Sequence, residues 1–190
     1  MSELIEIRWH GRAGQGVVTA GELLAEAALD EGKYFQAFPD YGPERMGAPV
    51  KSYTRISDEP IDFHCQILNP DVVIVVNPNL LSVVDVTEGL KPDGTLIINT
   101  PETPAEIRKA LNFTTGKVWT LDATKIAMDT LERDIPSTLM LGAVVKATGI
   151  VQLDSVIHLV REKLGAKLTE QVVEANVTAV KRAYEEAVEG

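Results

Sequence analysis

Residues 11 to 16 read Gly11, Arg12, Ala13, Gly14, Gln15, Gly16, three glycines and an arginine in one short interval. Glycines at such spacing let the backbone turn tightly and let its N–H groups approach a ligand. In the segment that follows, VVTAGELLAEAALDEG, Val17, Ala20, Leu24 and Ala27 recur at helical spacing. The positive end of a helix dipole at that point favours an anion, and Arg12 adds a full positive charge. The order G-x-x-G-x-G reverses the dinucleotide fingerprint, and no Gly-Lys-Ser/Thr follows as a phosphate loop requires. The next extended run ends in Phe38 and Pro39 with no carboxylate at its tip, Asp40 coming just after. Two readings stand side by side: an anion-binding loop, or a tight turn that lets a helix pack closely on a strand.

Other residues offer less chemistry. His64 beside Cys65 resembles a nucleophile and base, but neighbours on a strand point to opposite faces. Asn77, Asn99 and Asp122 follow strand-like runs, at the edge where open α/β sheets bind ligands, yet Asn and Asp there more often start a turn or cap a helix. The pairs Glu185/Glu186 and Asp40/Glu44 show no arrangement suited to acid–base catalysis, which argues against a self-contained hydrolase. One cysteine in the whole chain excludes an internal disulfide framework and cannot supply the four thiolates of an iron–sulfur cluster. With His10, His64 and His158 scattered, no metal site is expected. A net charge of −10 argues against general nucleic-acid binding.

The elements that must position these residues follow from periodicity. The chain of 190 residues, 45% hydrophobic, suits one domain spanning 1–190. LIEIRWH and KYFQAF read as extended; VKSYTRIS alternates and is expected to keep one face wet. DVVIVV, TLIINT and KVWTLDA are strands, the first two buried on both faces. Helical spacing then governs Leu153 to Leu164 and Leu168 to Tyr184. The expected fold is α/β: a mostly parallel twisted sheet with helices on both faces and a C-terminal helical pair packed back on the sheet. No run of about 18 apolar residues and no signal-peptide pattern is present, so a soluble, cytoplasmic protein without a membrane partner is expected.

Between two extended runs lies a turn-rich segment, Tyr41, Gly42, Pro43, Glu44, Arg45, Met46, Gly47, Ala48, Pro49. Its aromatic, Arg and Met content beside rigid Pro and Gly suits a protein–protein contact, centred on Tyr41 to Met46.

HGRAGQGVVTAGELLAEAA, then YGPERMGAPVKSYTRIS, NPDVVIVVNPNLL, LKPDGTLIINT and MLGAVVKATGIV, closely resemble the gamma subunit of pyruvate (2-oxoacid):ferredoxin oxidoreductases over nearly the whole chain. Members often carry a second Arg where Met46 stands, and an Asn where Ser137 and Thr138 stand. The resemblance implies a subunit of an oxidoreductase that converts a 2-oxoacid, pyruvate first, to acyl-CoA and passes electrons to ferredoxin, with no turnover by this chain alone. It implies alpha, beta and delta subunits as partners, with thiamine diphosphate, Mg, [4Fe–4S] clusters and coenzyme A in the complex and none of the metal centres in this chain. Gly11, Arg12, Gly14, Gln15 and Gly16 then become candidates to meet a coenzyme A phosphate, or equally a carboxylate or backbone oxygen of a neighbouring subunit. An independent nucleotide-binding α/β protein using the same loop is the alternative.

Overall fold

The computed structural model describes residues 4–40 and 47–190. Strand β1 (Leu4–Arg12) leads through the glycine loop into helix α1 (Val17–Asp30), and a hairpin follows, β2 (Tyr34–Asp40) and β3 (Pro49–Ser57). After an irregular stretch come β4 (Val72–Val75), a short 3-10 turn (Pro78–Ser82), β5 (Thr95–Asn99), α2 (Pro104–Leu111), β6 (Lys117–Leu121) and α3 (Ala123–Leu131). The chain closes with α4 (Met140–Thr148), α5 (Leu153–Gly165), α6 (Glu170–Glu186) and a two-residue strand, β7 (Val188–Glu189). The sheet has the order β2-β3-β1-β4-β5-β6-β7. Strands β1, β4, β5 and β6 run parallel, as the buried β-branched runs predict. To this parallel centre the fold adds an antiparallel hairpin beside β1 and the short antiparallel β7 beside β6.

Strand alternation sends side chains into two cores. Ile7, Trp9, Val72, Ile74 and Ile97 face α1, α4 and the C-terminal helices, whereas Val73, Val75, Leu96, Ile98 and Val118 meet Val86 and Ile107 on the opposite face. Local chemistry sets the helix ends. Thr103 and Glu106 form a reciprocal capping box at the start of α2, and Asp122 accepts from the Lys125 amide at the start of α3.

Two expectations are corrected. The C-terminal pair does not lie chiefly on the sheet: α4 rests on β5 and β6, and α6 packs on α4 and α3 while α5 packs on α1 and α6. Gly142 makes this closeness feasible, since a Cβ there would stand 2.3 Å from the Val180 carbonyl oxygen. The expected wet face of β3 is also absent, because Ser52 through Ser57 are all buried. Ser52 and Thr54 donate to carbonyls of α1, at Val17 and Gly21. On the other face Arg55, 1% exposed, lies beneath the irregular segment after β3 and pairs with Glu6 at 2.8 Å. Polar residues on this strand have protein partners in place of water.

Candidate functional site

The glycine loop sits at the carboxyl end of β1, beside the carboxyl end of β4. Each glycine has its own geometric reason. A Cβ at Gly11 would stand 2.3 Å from Val17 Cγ1, so the strand and the following helix could not approach as they do. Gly14 has φ +92° and Gly16 φ +75°, left-handed conformations that L side chains rarely adopt, and a Cβ at Gly16 would also meet Ser137 Oγ at 2.8 Å. Gln15 braces the turn from inside. Its Oε1 accepts from the Arg12 amide at 2.8 Å and from Asn77 Nδ2 at 3.2 Å, and its own amide donates to the Arg12 carbonyl at 3.0 Å. Arg12 Nη1 donates to the Gly47 carbonyl at 2.8 Å, and the Ala13 amide donates to the Ala48 carbonyl at 3.0 Å.

Helix α1 begins with Gly16 as its cap and no side-chain capping bond, and its first turn holds no acidic residue. The amides of Val17, Val18 and Thr19 therefore lack an intrahelical acceptor at the positive end of the dipole. A cavity of about 360 Å³ opens there, lined in part by Arg12, Gly14, Gly16, Val18, Asp40 and Lys51. Sequence reasoning missed Lys51. Register brings it in: Lys51 faces His10 across β1 and β3, and Asp40 across β3 and β2. The cavity thus joins Arg12 and the uncapped start of α1, while the Lys51 side chain shares the His10 face of the sheet and the Asp40 carboxylate stands opposite it.

On the same strands a second polar cluster is structural. Arg8 Nε donates to His10 Nε2 at 3.0 Å, and Arg8 Nη2 donates to the carbonyls of Val86 at 3.1 Å and Glu88 at 2.5 Å. Burial first, then the Arg8 and Lys51 charges, pushes the His10 imidazole down to about 3, so it serves as a neutral acceptor. Burial, with the bond to Asp40 behind it, pushes the Tyr53 hydroxyl up to about 12; that bond to Asp40 Oδ2 is 3.0 Å. The buried Arg8 guanidinium is lowered by desolvation and ties the turn at residues 85–88 to the sheet.

The other candidates resolve into supports. Asn77 caps the 3-10 turn by accepting from the Asn79 amide, Asp122 caps α3, and Asn99 binds the Val76 carbonyl and Thr124 across neighbouring strand ends. His64 and Cys65 are not on a strand; His64 stacks on Phe38 at 4.5 Å, and Cys65 Sγ lies 3.6 Å from Arg55 Nη2. Glu186 is engaged by Arg182. Among the described residues no group of three or more His, Cys, Asp or Glu converges to hold a metal ion, and no helix is long and apolar enough to cross a membrane. Tyr41, Gly42, Pro43, Glu44, Arg45 and Met46, expected at an interface, lie outside the described residues.

Comparison with known proteins places these features in context. The profile of the family described as "Pyruvate ferredoxin/flavodoxin oxidoreductase" matches residues 6–186. The pyruvate synthase subunit PorC of Thermotoga maritima is 49% identical over 95% of this chain and 93% of its own length. The pyruvate/ketoisovalerate oxidoreductases common subunit gamma of Pyrococcus abyssi is 49% identical over 96% of both chains. The crystal structure of the Thermotoga maritima subunit superimposes with a TM-score of 0.87 at 45% identity, covering 99% of each chain. A 2-oxoglutarate:ferredoxin oxidoreductase from Magnetococcus marinus, solved with 2-oxoglutarate, coenzyme A and succinyl-CoA bound, shares the fold at a TM-score of 0.78 and 20% identity; 96% of this chain matches 31% of that one.

Proposed function

Since the chain belongs to the pyruvate ferredoxin/flavodoxin oxidoreductase family and its near full-length relatives are gamma subunits, we propose that it is a gamma subunit of a pyruvate:ferredoxin oxidoreductase complex whose glycine loop receives an anion. Residues 1–190 act in it as one domain. Alpha, beta and delta subunits are its partners, and ferredoxin is reached through the complex in the cytoplasm. The observation that carries the assignment is the match to the Thermotoga maritima subunit from end to end, in sequence and in fold.

Thiamine diphosphate, Mg and [4Fe–4S] clusters would supply decarboxylation and electron transfer from the other subunits, because the single cysteine here cannot ligate a cluster. Coenzyme A is a different case. Its phosphates would meet at the loop the first amides of α1 and the Arg12 charge, in a cavity that Lys51 and Asp40 also border. In this reading Gly11 and Gly16 permit the approach of backbone and helix, Gln15 holds the turn rigid, and Arg12 with Lys51 neutralises the anion. The alternative occupant is a carboxylate or backbone oxygen of a neighbouring subunit. Tyr41 to Met46, which precede the Gly47 and Ala48 carbonyls bonded to this loop, are assigned to the subunit interface.

The test is to co-express the chain with the remaining subunits and follow coenzyme A-dependent reduction of a viologen dye by pyruvate. Replacing Arg12 and Lys51 by Gln should raise the KM for coenzyme A while leaving that for pyruvate unchanged if a phosphate is bound. It should lower retention of the chain in the complex if the anion belongs to a subunit. A chain that purifies from its native source without associated polypeptides, or that oxidises pyruvate alone, would overturn the assignment.

A further inference from the structure

Between β3 and β4 the chain makes no regular element. Residues 58–71 run as an irregular strap over the outer face of the hairpin. The strap follows β2 in the same direction. Gln36 Nε2 donates to the carbonyls of Ile61 and Phe63, His64 stacks on Phe38, and Gln66 Nε2 donates to Asp40. Arg55 lies underneath, its guanidinium carbon 4.8 Å from the centroid of the Phe63 ring. Among the described residues, 58–68 form no backbone–backbone hydrogen bond, so side chains alone fix the strap, with Ile67 as its buried anchor.

This cover is thin and leaves aromatic surface outside. Phe63 is 45% exposed, and Tyr34, which shares the outer face of β2 with Gln36, is 48% exposed. Around them stand the carboxylates of Asp58, Glu59 and Asp62, and no Lys or Arg occurs between residues 58 and 70. The cation that answers from outside the strap is Lys33, 3.8 Å from Asp58, an exposed and hence weak pair. Glu59 and Asp62 have no ion-pair partner among the described residues.

We propose that the strap and the adjoining rim of β2 form a docking surface for a basic segment of another subunit, one that sets aliphatic side chains on Phe63 and Tyr34 and Lys or Arg against Glu59 and Asp62. The inference rests on the gamma-subunit reading above. Phe63 is already held by the guanidinium beneath it, so it loses little freedom on docking, and aromatic groups of this kind supply the centre of interfaces. The acidic rim selects the sign of the partner and steers its approach.

Cys65, the one thiol of the chain, is exposed in the middle of the strap and serves as a probe. The isolated full chain and the chain co-expressed with its companion subunits are treated with iodoacetamide, and modification of the Cys65 peptide is timed by mass spectrometry. Docking should slow the reaction by about tenfold or more by removing solvent access. The double variant Glu59→Lys, Asp62→Lys should keep its melting temperature, since both residues are exposed, yet be lost from the complex. Rising salt should weaken retention of the unaltered chain. A complex that forms with Cys65 modified at the free-chain rate overturns the docking surface and leaves the gamma-subunit assignment standing. Failure to assemble at all overturns both. Protection of Cys65 that grows with the concentration of the isolated chain identifies a second copy as the occupant, which also overturns the proposal.

Discussion

His10 offers a direct measure of how this chain handles a buried polar strand. In the folded protein its imidazole titrates near 3, lowered from 6.5 by burial and by the charges of Arg8 and Lys51, while the Asp85 carboxylate opposes the shift. Above pH 6.5 the group is neutral in both folded and unfolded chains and contributes nothing to the pH dependence. As pH falls below that value the unfolded chain takes up a proton that the folded chain refuses, so stability declines by about 1.4 kcal/mol per pH unit until the folded group itself titrates. By pH 4.5 this one residue should cost about 2–3 kcal/mol, in addition to the effect of carboxylates that have begun to protonate in both proteins. The variant His10→Gln keeps an acceptor for Arg8 Nε and removes the titration. Urea unfolding followed by the fluorescence of Trp9 and Trp119, repeated from pH 7.5 to 4.5, should give a steeper loss for the unaltered chain than for the variant. Parallel acid limbs for the two proteins would refute a neutral, buried His10.

Arg55→Ala should lower stability by about 3 kcal/mol, read as a fall in melting temperature, because it leaves Glu6 without its partner and removes the support under Phe63. Gly16→Ala should destabilise by about 1 kcal/mol from the positive φ alone and by more through contact with Ser137 Oγ. Adding Ser137→Gly should recover the contact part and leave the backbone part, as measured by urea unfolding of both variants.

Much of the architecture was legible in short segments. The β-branched runs at 72–75 and 95–98 are buried on both faces because a strand with no polar alternation has no face to offer water. The helix after the glycine loop, the capping residues Asp122 and Asn77, and the need for glycine in the loop follow from interactions within a few residues of chain. One cysteine cannot supply the four thiolates of an iron–sulfur cluster. These are local facts, and local sequence carries them.

What the tertiary structure decided depends on register and on partners distant in sequence. Periodicity in β3 identified a strand but not that both its faces would be covered, because Ser52 and Thr54 bond to α1 and Arg55 to Glu6, 49 residues away. Antiparallel pairing of β1 with β3 set Lys51 opposite His10, 41 residues away, while Lys51 also borders the cavity that Arg12 lines. The C-terminal helices pack on other helices because α4 already occupies the sheet surface over β5 and β6, a competition for buried area that no single amphipathic pattern records. A hydrophobic period says which side of an element seeks burial; the surface it finds is fixed by every other element seeking the same thing.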